Sequence, residues 1–122
     1  MGDRKHATDL LNAGIASSSN KSNPQHLQHA YQCMASACLV DPTFPEAFYA
    51  TGNVVSDLNL YHAAVAIWRR GLQCESSKET KANLLANLSW RLFTLGRVEQ
   101  ALQAAEQSVE LVSTNPYPWI NM

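Results

Sequence analysis

The chain has 122 residues, 46% hydrophobic and 16% charged, and nine Lys and Arg against ten Asp and Glu leave a net charge of −1. That apolar content supports a buried core and argues against a disordered chain, and balanced charge without long runs of one sign argues against binding nucleic acid or a membrane surface. No apolar run approaches the roughly 18 to 20 residues a membrane span needs, and the N-terminus, Met1-Gly2-Asp3-Arg4-Lys5-His6, lacks the apolar block of a secretory signal, so a cytoplasmic location is expected.

Apolar residues at three- and four-residue spacing, interrupted by Pro, Gly and Asn, predict six helices. The first, over 3–16, carries Leu10 and Ala13-Gly14. The polar stretch 17–23, SSSNKSN, reads as a loop that Pro24 closes by opening the second helix, over 24–40, because proline suits the first helical turn. On that helix His26, His29 and Cys33 share a face. Three side chains from one helix fall short of a zinc site, which draws four ligands from two elements, so no metal or other cofactor is expected. Cys33, Cys38 and Cys74 are odd in number and lack CxxC spacing, which reads as reduced thiols.

The third helix, 45–58, carries Phe48, Thr51-Gly52 and Val55, and the fourth, 61–74, carries Ala64, Trp68 and Gly71. His62, at the start of the fourth, reads as a turn or capping residue, and Arg69-Arg70 as a solvated helix face. The fifth helix, 79–95, has Leu85, Leu88-Ser89 and Leu92; after a turn at Gly96 the sixth, 98–113, has Ala101, Ala105 and Ser108. The chain shows no glycine-rich phosphate loop, nucleophile elbow, His-Glu metal motif or paired carboxylates. No catalytic residue is therefore assigned, and the chain is not expected to be an enzyme.

The helices repeat. Ala30, Met34, Ala37 and Pro42 recur 34 positions later as Ala64, Trp68, Gly71 and Ser76, and Leu85, Asn87 and Leu88 recur as Trp119, Asn121 and Met122. From Gly52 to Ser89 the spacing is 37, and the stretch 75–80, ESSKET, absorbs the extra three residues. A large residue at Phe48, the pairs Thr51-Gly52 and Leu88-Ser89 at the position of a Leu-Gly pair, from which Thr51 departs, and the later Ala64, Trp68 and Gly71 resemble the tetratricopeptide-repeat family, whose period is about 34. The resemblance implies an all-α fold: a right-handed superhelical solenoid of stacked antiparallel helix pairs, with about three repeats in one domain spanning 1–122. Those repeats would cover about 3–42, 45–77 and 79–115, and a further one would begin at 116–122. Trp68 is then core, and Trp119 is expected to pack on the third unit or on a following one.

In such a solenoid the first helices of successive units make a concave, ligand-binding wall. Helical spacing puts Asn83, Asn87, Trp90 and Thr94 on one stripe, opposite Leu85, Leu88, Leu92 and Leu95. The second unit contributes Glu46, Tyr49, Asn53 and Asp57, the first Asn12, and the next begins with Asn121. An asparagine side chain donates to and accepts from a peptide backbone at once, and Trp90 offers a flat apolar anchor. The expected function is a protein–protein interaction scaffold that binds a peptide or partner protein, with no nucleic acid and no membrane as partner. Asn87 and Asn121 are also similar in placement to the asparagine ladder of protein O-linked N-acetylglucosamine transferases. That likeness implies an alternative, the N-terminal substrate-recruiting region of a larger enzyme such as a glycosyltransferase. Asn83 and Asn87 stand where the carboxylate clamp of other family members needs Lys and Arg, which disfavours a carboxylate-terminated ligand. Homo-oligomerisation through terminal repeat faces is a further expectation.

Overall fold

The computed structural model describes residues 3–19 and 23–112, and among them the regular elements are all α-helices. They are α1 (Arg4–Ser18), α2 (Pro24–Val40), α3 (Pro45–Asp57), α4 (Tyr61–Leu72), α5 (Lys78–Thr94) and α6 (Val98–Val112). Every expected helix is present, with ends within two residues of the sequence reading. Two boundaries need correction: Ser17 and Ser18 belong to α1, not to the loop, and α4 stops at Leu72, so Gln73 and Cys74 lie outside it. The Ser18 and Ser19 hydroxyls donate to the Ile15 and Ala16 carbonyls, both at 2.9 Å, and so satisfy carbonyl groups that the end of a helix leaves unpaired.

Local chemistry explains the starts and stops. The Asp3, Asn23 and Ser77 side chains accept from the backbone N–H groups of His6, Gln25 and Thr80, capping α1, α2 and α5. Pro24 and Pro45 sit in the first turns of α2 and α3. Helices α3 and α5 end alike. Asn59 and Gly96 have positive φ, 67° and 82°. In α3 the Leu60 N–H donates to the Val55 carbonyl (3.1 Å) and the Asn59 N–H to the Ser56 carbonyl (2.9 Å). In α5 Arg97 donates to Leu92 (2.9 Å) and Gly96 to Phe93 (3.0 Å), the same paired closure.

The chain divides into two compact units, Met1–Glu75 and Ser76–Met122. In the first, α1 packs on α2, α2 on α3 and α3 on α4, and α1 also meets α3. Ala7, Leu11, Leu27, Ala30, Met34, Ala37, Phe44, Ala47 and Val54 form one buried cluster. Phe48, Val55, Ala64, Val65 and Trp68 are buried too. Trp68 is core as expected, 2% exposed, and its indole N–H donates to the Tyr49 carbonyl at 3.1 Å. The close approach depends on glycine: a Cβ at Gly52 would collide with the Trp68 indole, and one at Gly14 would lie 2.6 Å from the Met34 Cγ.

In the second unit α5 packs on α6. The Ser89 hydroxyl donates to the Ala101 carbonyl and that of Ser108 to the Ala82 carbonyl, both at 2.8 Å, which fixes the pair as antiparallel. The buried stripe of α5 is Ala82, Leu84, Leu85, Leu88 and Leu92. It is wider than the expected Leu85, Leu88, Leu92 and Leu95, and Leu95, the residue that ends the helix, is only half-buried.

Candidate functional site

Glu46, Tyr49, Asn53 and Asp57 follow one another along α3 at three- and four-residue spacing and so share a face. Phe48, Thr51 and Val55 point elsewhere, into the core, while Ala50 and the buried Val54 also line the α1–α3 groove. That leaves the first four facing α1, where together they line one side of a groove of about 310 Å³, with Leu11 and Ile15 on the opposite wall and Met34 in its lining. Tyr49, Asn53 and Glu46 are half-buried and Asp57 is exposed. The groove therefore offers an apolar wall against a polar one, and the formal charges among its lining residues are negative. Asn12 is exposed on α1 and does not line it.

On α5, Asn83, Trp90 and Thr94 are exposed and Asn87 is half-buried. The Thr94 hydroxyl donates to the Arg91 carbonyl at 2.8 Å. Trp90, 61% exposed, also lines an apolar groove with Phe93 of α5 and Val98 and Leu102 of α6. Asn121, Trp119 and the start of a further unit lie outside the described residues.

An unexpected cluster ties the first unit together. The Arg4 Nε donates to the Asp41 carboxylate, Arg4 Nη2 to the Thr43 carbonyl at 3.2 Å, and the guanidinium lies 4.3 Å over the Phe44 ring. The Thr43 hydroxyl and N–H also donate to Asp41, at 2.6 and 3.1 Å. The Thr43 hydroxyl and then Arg4 hold the Asp41 carboxyl down at about 2. The local signal was present in Asp41-Pro42-Thr43, whose aspartate can bond the backbone two residues on. Arg4 lies 37 positions away and could not be found that way.

Among the described residues no three His, Cys, Asp or Glu side chains converge as a metal site would need. His29 Nε2 and Cys33 Sγ lie 3.7 Å apart, and His26 is exposed. All three cysteines are free, and burial pushes the Cys38 and Cys74 thiols up, which keeps them protonated and weakly nucleophilic. No described helix is long and apolar enough to cross a membrane. No protein-family model matches the chain, and no curated protein matches it either.

Proposed function

We propose that this chain is a binding scaffold of the tetratricopeptide type, a right-handed solenoid of about three helix-pair repeats that holds an extended segment of a partner protein. The observation that carries the reading is the α1–α3 groove, in which four side chains selected by spacing alone line one side against an apolar wall. The matching turns at Asn59 and Gly96, and the glycine-against-bulk pairing of Gly14 with Met34 and Gly52 with Trp68, support a repeated helix-pair design. Tyr49 and Asn53 can donate to and accept from a peptide backbone, and Glu46 and Asp57 favour a cationic side chain in the segment held. Near-neutral charge and the lack of a basic patch fit a protein partner, bound without cofactor in the cytoplasm, better than a nucleic acid or membrane. The stripe of Asn83, Asn87 and Thr94 offers a second polar face of the same chemistry on α5.

The test is a peptide-array screen of the protein, followed by titration of the selected peptides against Tyr49→Ala and Asn53→Ala once circular dichroism shows both variants folded. Losing the tyrosine should cost about 1 to 2 kcal/mol of affinity and losing the amide about 1. Folded variants that bind as tightly as the parent would remove the groove as the site.

A further inference from the structure

The helix pairs α1–α2 and α5–α6 are built alike where their helices come closest. A Cβ at Gly14 would lie 3.1 Å from the Ala30 carbonyl, and the Ser89 hydroxyl donates to the Ala101 carbonyl at 2.8 Å. Gly14 and Ser89 are therefore equivalent, as are Ala30 and Ala101. Counting from these anchors pairs Leu11 with Ala86, Met34 with Ala105 and Cys38 with Val109. Trp68, which covers Gly52, follows Ala64 at the spacing by which Met34 follows Ala30, so Ala105 stands where both other pairs place a bulky residue. On α1–α2, helix α3 covers this surface: Leu11 and Met34 are buried in one cluster with Ala47 and Val54 of α3, and the Cys38 thiol lies 3.6 Å from the Thr51 hydroxyl. On α5–α6 the same surface is an open groove of about 560 Å³, in which Ala86 and Val109 are exposed and Ala105 is half-buried. Trp90, Phe93 and Leu102 add large apolar side chains to its walls, each more than half exposed.

We propose that the α5–α6 groove is the seat of an amphipathic α-helix from a partner protein, docked as α3 docks on α1–α2. No charged side chain lines the groove. Its polar side-chain groups are the Trp90 indole N–H and the hydroxyls of Ser89 and Ser108, which already donate to the Ala101 and Ala82 carbonyls. An extended segment would leave the backbone groups on its groove side unpaired, whereas a helix satisfies its own. Bulk decides which side chains the helix must bring. On α1–α2, Leu11 and Met34 supply the volume, and α3 meets the cluster with Ala47, Ala50 and Val54, none larger than valine. Ala86 and Ala105 leave that volume empty, so the partner helix needs residues of leucine or phenylalanine size at the same i, i+3 and i+7 positions. Its charged residues belong on the opposite face, because the groove has no group to pair with them. This seat is separate from the peptide groove between α1 and α3 and stands without it.

The probe is a fluorescently labelled synthetic peptide of about eighteen residues, built from Ala, Glu, Lys and Gln with Leu at i, i+3 and i+7 so that one face is apolar. Two comparison peptides accompany it: one with the leucines spread around the helix, and one with Pro in mid-sequence to prevent helix formation. Fluorescence anisotropy of each is measured against the full chain, with circular dichroism of every variant and light scattering of the protein alone. The first peptide should bind about tenfold more tightly than either comparison. Leu102→Asn, at a 59% exposed position, and Ala105→Met, which restores the bulk that Met34 supplies on α1–α2, should each weaken it about tenfold in a folded protein. Ala105→Met makes the surface more apolar, so indiscriminate hydrophobic adhesion would move the other way. Equal binding of the three peptides, no binding of the first, or an unchanged affinity in either folded variant overturns the proposal. So does a mass near twice 13.5 kDa that Leu102→Asn returns to 13.5 kDa, which would give the groove to a second copy of the chain.

Discussion

Asp41 shows how one side chain can staple separate elements. Its carboxylate is buried, accepts from Thr43 and Arg4, and has its pKa held at about 2, below the ordinary 3.8. The folded state therefore favours the charged form. The resulting stability is complete above about pH 4 and is lost as pH falls toward 2. Urea midpoints measured from pH 5 to 2 should fall more steeply for the parent than for Asp41→Asn, which has no carboxylate to protonate. Glycine makes a second residue-scale contrast. Gly52→Ala must displace a buried, hydrogen-bonded indole and should cost about 2 kcal/mol. Gly14→Ala meets the buried Met34 side chain and, at 3.1 Å, the Ala30 carbonyl of the α2 backbone, and because part of that cost is offset by the better helix propensity of alanine a loss of about 1 kcal/mol is expected by the same denaturation assay.

Helix boundaries were legible because they are local. Capping side chains lie within three residues of the N–H groups they bind, and Pro24, Pro45 and Gly96 act at their own positions. Serines are the instructive exception: a run of polar residues reads as loop, yet hydroxyls that bond the carbonyls of the last turn let α1 continue to Ser18. The left-handed turn after α5 gives a prediction at this scale. A methyl added at Gly96 would meet open space, but the φ there is 82°, so Gly96→Ala should lose about 1 kcal/mol through backbone strain alone, read as a lower thermal midpoint. Asn59 at φ 67° makes the companion test: its amide oxygen accepts from the Tyr61 hydroxyl at 2.9 Å, so Asn59→Gly trades relieved strain against a lost bond and should change the midpoint little.

For the whole molecule, a net charge of −1 and few charges in the α1–α3 groove predict that the proposed peptide binding depends only weakly on salt. Raising salt from about 50 to 200 mM should weaken a lysine-bearing peptide by no more than a few fold, measured by titration, because Glu46 and Asp57 are the two acids lining the groove that can attract it. The sequence by itself determined six helices, the burial of Trp68 and the face shared by Glu46, Tyr49, Asn53 and Asp57, because periodicity and capping act within a few residues. Only the tertiary structure could decide what each face meets. Tyr49 and Asn53 face α1, so their groove needed Leu11 and Ile15 brought from more than thirty positions away. Trp90 and Asn87 are three positions apart on α5, and it is the packing of α6 that sets Trp90 beside Phe93, Val98 and Leu102 in one apolar groove. Helical spacing gives the direction of a side chain, while its neighbours depend on which helices pack and on the bulk that each contributes. Ala105, where the other pairs place Met34 or Trp68, leaves open the groove that Trp90 lines.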